Sequence, residues 1–396
     1  MEFGGSAPAA KVIDAVSDRL GVPNEVRNDY REVDCGKWGV RRRCAWRQKI
    51  HWVRQNAIYA GLIENSASGI WTLSDRGRGS LNNCQPGVIL TIYETPSGEA
   101  VWCDAMTASG ALETNSINLL FSSPAYPLAG KGRAYGNISP GETVEMIVKC
   151  AKEWRRAMKD DASIVLNFRD VWLPKAETGG AVRSLYQEKL LLALVEDVGL
   201  YFADRLFWKN PGHMPDSPWV TIRRVRTNMD VEQLFWLSKS PNPKADNRRI
   251  LVDAKPETIA SYLRKSKRGQ KRVIGPSGQG NCFEEQMAAV AAGQTLKVIP
   301  RNLVEFANTD PRVKLHAKLK DLGLPKHDAV MPRGLAEHVI KFLTEPGDTV
   351  VDLFNGSGTV CAAAESLGRR WIGGDRSLAH VLSSALRFNP ESLRYT

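Results

Sequence analysis

The chain has 396 residues, beyond the roughly 250–300 at which a single hydrophobic core stops growing, so a main domain with an appended module is expected. Hydrophobic residues make up 43% of it, and no window approaches the ~18 apolar residues that span a bilayer, so a soluble protein with no membrane partner is expected. Lys and Arg outnumber Asp and Glu by 54 to 43, and the formal charge of +11 suits a polyanionic partner, although a merely hydrated basic surface would carry the same charge.

The first segment reads as helical and then hairpin-like. Val12, Ile13, Val16 and Leu20 recur at helical spacing, and Trp46, Ile50, Val53 and Ala57 share one side of a second helical stretch over 45–62. Ser68-Gly69 separates short apolar runs at 62–63 and 70–73, and Asp75-Arg76-Gly77 closes the second. Helices followed by a two-stranded wing predict a winged-helix module over 1–85. The run 68–77, Ser-Gly-Ile-Trp-Thr-Leu-Ser-Asp-Arg-Gly, resembles the wing at the front of Mrr-type restriction proteins. That resemblance implies DNA contact through Arg41, Arg42, Arg43 and Arg47, flanking or lying on a recognition helix; a docking module with a solvated basic face is the alternative.

Residues 86–103 read as a strand-like linker. From 104 to 396, strand-like runs at 117–121, 163–168, 234–237, 349–354 and 371–374 alternate with helical ones at 142–158, 181–198, 335–344 and 360–367. This predicts an α/β domain with a mostly parallel sheet and helices on both faces. Residues 240–325 break the rhythm. They carry Arg248, Arg249, Arg264, Lys265, Lys267, Arg268, Lys271 and Arg272, which suits an inserted element reaching over a groove and contacting phosphates or base edges. Seven cysteines (Cys35, Cys44, Cys84, Cys103, Cys150, Cys282 and Cys361) show no metal-ligand spacing, so reduced thiols and no metal centre are expected, and the first ten residues do not read as a secretory signal.

The clearest chemical signal is 349–359, Thr-Val-Val-Asp-Leu-Phe-Asn-Gly-Ser-Gly-Thr, where a buried strand runs into a tight glycine turn and then a helix. Glycines permit the turn and let the backbone approach a ligand closely. Asp375 ends a second strand 23 residues after Asp352, near the spacing of about 20 at which an acid meets ribose hydroxyls. The second glycine is not followed by Lys, which disfavours a phosphate-cradling loop; a dehydrogenase or a structural turn would explain the glycines alone. The octapeptide 352–359, Asp-Leu-Phe-Asn-Gly-Ser-Gly-Thr, resembles the Asp-Pro-Phe-x-Gly-Ser-Gly-Thr motif of DNA amino-methyltransferases. It implies S-adenosylmethionine binding by Asp352, Phe354, Asn355, Gly356, Ser357, Gly358, Thr359 and Asp375. The segment 327–335, His-Asp-Ala-Val-Met-Pro-Arg-Gly-Leu, resembles the family's segment against the methionine end of the cofactor, which adds Pro332 and Leu335.

The strand 117–121 ends in Ser122-Ser123-Pro124-Ala125-Tyr126-Pro127, a sequence that could by itself be only a Pro-rich turn. It resembles the family's catalytic (Asp/Asn/Ser)-Pro-Pro-(Tyr/Phe/Trp), with Ala125 in place of the second proline. The resemblance assigns catalysis to Ser123, Pro124, Ala125 and Tyr126 and places Phe121 and Ser122 beside the cofactor. An exocyclic amine is a poor nucleophile because its lone pair is delocalised into the ring. The Ser123 hydroxyl and the Pro124 carbonyl can accept its two hydrogens and hold it against the methyl donor, while Tyr126 stacks on a base turned out of the duplex. No Pro-Cys pair occurs, which excludes C5 methylation of cytosine through a thiolate.

The catalytic motif precedes the glycine motif, an order that resembles the β class of these enzymes over residues 104–390. This implies a Rossmann-like methyltransferase fold with circularly permuted motif order, double-stranded DNA as partner, a homodimer, and a cytoplasmic, nucleoid-associated protein of prokaryotic or phage-like type. The segment 206–211 resembles the family's strand and loop near the target base, and 232–239 resembles a later strand of the same domain. Ser at the first catalytic position is associated in the family with cytosine N4, whereas adenine N6 is the more usual product. The expectation is adenine N6, with cytosine N4 as the alternative. A DNA-binding regulator carrying a vestigial methylase domain is the competing class.

Overall fold

In a computed structural model, residues 5–34, 39–59, 61–64, 69–74, 77, 83–127, 138–211, 217–267, 292, 295–307, 309–322, 327 and 329–395 are described. They fall into two units, Met1–Cys84 and Gln85–Thr396. In the first, helix Ala9–Arg19 is fastened to helix Ala45–Tyr59 where Trp46 Nε1 donates to Ser17 Oγ at 2.8 Å. Strand Ile70–Thr72 pairs antiparallel with Ser6–Pro8, and an Ile63–Leu73 bridge supplies the other side of the expected hairpin. Arg41, Arg42 and Arg43 flank the second helix on a strand, Val40–Cys44, paired with Tyr30–Asp34. Four of its five positions are exposed, so no period-two alternation of apolar residues marks it in the sequence. Glu32 stands opposite Arg42, and Arg47 lies 3.8 Å from Asp14.

The second unit is built on a ten-stranded sheet among the described residues. Its strands in chain order are β1 (Ile89–Thr95), β2 (Gly98–Cys103), β3 (Ile117–Ser122), β4 (Met158–Phe168), β5 (Tyr201–Lys209), β6 (Val231–Ser238), β7 (Leu303–Glu305), β8 (Thr349–Asp352), β9 (Arg370–Asp375) and β10 (Arg394–Tyr395). Their spatial order is β7-β5-β6-β4-β3-β8-β9-β2-β1-β10. The run β4-β3-β8-β9-β2 is parallel. On one side β6 joins β4 antiparallel, and on the other β1 and β10 add an antiparallel flank. The sheet is therefore mostly parallel, with only β6 and β1 running against the other strands.

Every residue of β3 and β8 is buried, as a central parallel strand covered on both faces requires. Leu119, Phe121, Val165 and Val350 pack with helices Arg333–Leu343 and Thr359–Ser366. Ile117, Leu120, Ile164, Leu166 and Val351 pack with helices Pro140–Ala157 and Tyr186–Glu196 on the other face. Helix Pro140–Ala157 carries the crossover between β3 and β4, and its start is written in Ser139-Pro140-Gly141-Glu142. Ser139 Oγ accepts from Glu142 N at 3.2 Å, Glu142 accepts from Ser139 N at 2.7 Å, and Pro140 fills a position whose N–H would be unused.

Three expectations are corrected. Residues 86–103 are not a linker, since β1 and β2 pair with each other and β2 extends the sheet from β9. The helix expected over 181–198 begins at Tyr186, because Arg183 is drawn into a bridge with Trp172 and Ser184 Oγ accepts from Tyr186 N at 3.2 Å. The stretch 240–325 is not wholly an insert, for it supplies β7, which pairs parallel with β5. No described helix is long and apolar enough to cross a membrane.

Candidate active site

Asp352 ends β8 and Ser122 ends β3. The two strands are neighbours, with Val350 opposite Leu119 and Val351 opposite Leu120, so the glycine bend and the loop 123–127 leave one edge of the sheet side by side. Ligands bind outside this carboxyl edge in open α/β sheets. Ser122 Oγ donates to Asp352 Oδ1 at 2.5 Å, and Phe354 N donates to the same oxygen at 3.1 Å. Burial pushes the Asp352 carboxyl up to about 7, against these two hydrogen bonds.

The bend itself is fixed from several directions. Gly358 has φ +75° and Gly356 φ +49°, and a methyl group on either would collide, at 2.6 Å from Ser384 Cβ and His327 Nε2 respectively. Arg387 Nε donates to the Ser357 carbonyl at 2.5 Å and Nη2 to Ser357 Oγ at 3.1 Å. Asp375, at the end of β9, accepts from Gly356 N at 2.7 Å and Ser377 N at 2.8 Å, and stands 3.3 Å from His380 Nδ1. Burial works against its charge, but His380 and the two amides outweigh that cost and hold the carboxyl below its usual range. The His327 ring lies 4.6 Å from that of His380.

These residues fit a polar cofactor. Asn355 is only 4% exposed, yet neither atom of its side-chain amide has a hydrogen-bond partner, an arrangement that costs stability unless a ligand completes it. Thr359 opens the helix after the bend, with its hydroxyl 3.4 Å from Ser357 Oγ. Phe121 and Leu335 are fully buried in the core, supporting the bend from behind, and Pro332 caps the helix that carries Leu335.

Beyond Ser122, the loop meets two residues that the sequence did not single out as site residues. Tyr126 Oη donates to Glu232 Oε2 at 2.8 Å and lies 3.4 Å from Ser123 Oγ. The Asn167 amide sits among all three. It is best satisfied with its nitrogen toward the loop, 3.3 Å from Ser123 Oγ, 3.2 Å from Tyr126 Oη and 3.3 Å from Glu232 Oε2, while its oxygen accepts from Phe168 N at 3.2 Å. Pro124 is buried and Ala125 half-buried. Burial raises the Tyr126 phenol, with the Glu232 charge adding to the effect, and burial likewise raises the Glu232 carboxyl.

The basic residues differ in what they touch. Arg249 donates to Glu345 Oε1 at 2.5 Å and to the Thr344 carbonyl at 3.1 Å, a structural use, and Arg248 is hydrogen-bonded to Asp246. Arg264 is exposed on helix Pro256–Lys267. That helix includes Lys265 and Lys267, whose side chains, with all of Arg268, Lys271 and Arg272, lie outside the described residues. A basic cluster unmarked in the sequence lies between β4 and β6. Arg183 stacks on Trp172 at 3.7 Å and Arg223 on Trp219 at 5.0 Å, the two indoles being 6.1 Å apart, and Arg223, Arg224 and Arg226 are exposed. The segments bearing them adjoin Phe168, Lys209 and Val231, at the same end of the sheet as Ser122.

Two adjacent loops at the carboxyl edge of such a sheet are where a Rossmann-like fold holds a cofactor, and the comparisons with known proteins make this one an S-adenosylmethionine-dependent methyltransferase. The chain belongs to the DNA methylase family of N6/N4 amino-methyltransferases, whose profile matches residues 117–385. Residues 2–83 match the Mrr N-terminal domain. The type II methyltransferase M.PvuII of Proteus hauseri is 30% identical over 300 residues, covering 75% of this chain and 85% of that one. The solved PvuII DNA methyltransferase, described as cytosine-N4-specific, superposes with a TM-score of 0.57 at 28% identity, over 74% of this chain and 87% of that one. A Thermus thermophilus protein described as a putative DNA modification methylase, solved with S-adenosyl-L-methionine, gives a TM-score of 0.44 at 16% identity, over 73% and 92% of the two chains.

Proposed function

We propose that this DNA methyltransferase modifies the N4 amine of cytosine in double-stranded DNA. The observation that carries the reading is Ser123 at the first acceptor position, and the likeness to a methyltransferase described as cytosine-N4-specific supports it. Together they outweigh the more general expectation of adenine N6. When bound, S-adenosylmethionine supplies an electrophilic sulfonium methyl. Asp352, Asn355, Gly356, Ser357, Gly358 and Asp375 would hold it. Ser123 Oγ and the Pro124 carbonyl accept the two amine hydrogens, which pulls the amine toward tetrahedral geometry, and Tyr126 offers its ring to the extruded base. The methylated amine sheds a proton as the new bond forms, so positioning matters more than a strong base. Methylating plasmid DNA, digesting it to nucleosides and weighing the product tests the choice. N4-methylcytosine is expected, and N6-methyladenine would overturn it in favour of the alternative. Cofactor binding with no methylated base would favour the regulator.

Arg183, Arg223, Arg224 and Arg226, beside that loop, would grip DNA phosphates, joined by Arg264 and, on the first unit, by Arg41, Arg42 and Arg43. The R223E/R226E double variant is expected to bind duplex DNA more weakly and to flatten the slope of log affinity against log salt by about 0.9 for each phosphate that is no longer neutralised. Titrations over a range of salt concentrations read this directly, and an unchanged slope would remove the cluster from the DNA surface.

A further inference from the structure

Glu232 stands at the start of β6, and no motif read from the sequence gives it a role. It is nevertheless the acidic end of a short chain of polar groups leading to the reacting position. Tyr126 Oη donates to it at 2.8 Å, Ser123 Oγ is 3.4 Å from Tyr126 Oη, and the Asn167 nitrogen faces all three oxygens. A serine hydroxyl has one proton and two lone pairs, so its use as an acceptor depends on where its proton points. A carboxylate accepts only. With Glu232 ionised, the phenol proton must lie toward Glu232, the phenol oxygen is left to accept from Ser123, and Asn167 takes one serine lone pair. The second lone pair then faces the pocket. If Glu232 carried a proton it could donate to Tyr126, the phenol would donate to Ser123, and that lone pair would be consumed.

We infer that Glu232 is a positioning residue for methyl transfer, whose carboxylate fixes the direction of the hydrogen bonds through Tyr126 so that Ser123 keeps a lone pair aimed at the target amine. The inference rests on Ser123 being the acceptor proposed above. The charged and titratable neighbours are Arg169, Tyr126 and Tyr186; Tyr186 donates to the Arg169 carbonyl at 2.6 Å. Arg169 favours the carboxylate, yet burial prevails and raises its pKa. The working, ionised form is therefore lost as pH falls through a value above the ordinary carboxylate range. Asp352 also titrates high, but it is bonded to Ser122 and the glycine bend and not to this chain of groups, so any limb it adds is common to wild type and variants and the Glu232 limb is read as the difference between them.

The test is single-turnover methylation of duplex DNA by the full-length wild type and by E232Q, Y126F and S123A across pH, at saturating S-adenosylmethionine, with cofactor affinity measured in parallel. Glutamine can both donate and accept, so it no longer dictates a direction. E232Q is expected to lose about tenfold in rate, the scale of one net hydrogen bond, with cofactor affinity unchanged. It should also lack the acid limb that the wild type shows. Y126F, which keeps the ring, should show the same loss and the same missing limb, and the double variant should add nothing further. An E232Q profile with the wild-type limb overturns the inference. If E232Q melts early, Y126F decides in its place, and a wild-type limb there overturns it equally. An active S123A would instead sink the assignment of the acceptor itself.

Discussion

Replacing Ser123 with Ala is expected to slow methyl transfer by on the order of 10²–10³-fold, the scale of losing one preorganised hydrogen-bond partner at a reacting centre. Alanine leaves one of the two amine hydrogens without an acceptor, and the amine relaxes toward the planar form whose lone pair is tied into the ring. The loss should fall on the chemical step. Ser123 is half-buried and, among the described residues, its hydroxyl bonds only with Tyr126 and Asn167, so the sheet and the glycine bend should be untouched. Its neighbour Ser122 differs, being buried and bonded to Asp352. Isothermal titration with S-adenosylmethionine should thus give the wild-type affinity for S123A, while methyl incorporation into duplex DNA collapses. Normal incorporation would show that the amine is held elsewhere.

Gly358→Ala should remove cofactor binding at its source. The residue sits at φ +75°, where a side chain costs roughly 1–2 kcal/mol, and the new carbon would stand 2.6 Å from Ser384 Cβ and 3.3 Å from Ser384 Cα. Ser384 cannot yield easily. It is fully buried, donates to the Val381 carbonyl at 2.7 Å and shares a 2.7 Å hydrogen bond with Tyr93. The bend must move instead, taking Ser357 and Asn355 with it, and affinity for S-adenosylmethionine is expected to fall at least about tenfold, the equivalent of ~1.4 kcal/mol. Gly347→Ala is the control. It shares a positive φ of 87° but meets nothing within 4 Å, so it should lower the melting temperature and leave the cofactor affinity intact. Equal affinities for the two variants would disconnect the glycine bend from the cofactor.

Much of the site was legible because strand ends are punctuated by residues with strong local preferences. Pro124 and Pro127 stop β3, and Gly356 and Gly358 turn the chain after β8, so both loops announce themselves along with the buried runs before them. What escaped depends on partners far away in the chain. Asn167 reads as one polar residue at the end of an apolar strand, and Glu232 as the polar start of another; only the antiparallel pairing of β6 with β4 brings them together over Tyr126. Arg387 gave no local sign that its guanidinium would brace Ser357. Strands β1 and β2 had the composition of strands but nothing to say which sheet they would join, and the exposed Val40–Cys44 strand lacked even an apolar alternation.

The pairing of β3 with β8 also bears on how the protein comes into being. These strands lie more than two hundred residues apart, and the acids at 352 and 375 are made long after the loop at 123–126. A growing chain therefore exposes its amine-facing loop long before anything exists to hold a methyl donor, and closing so long a loop belongs to the late, slow events of folding. A prematurely terminated product, whatever its first unit grips, would leave DNA unmarked.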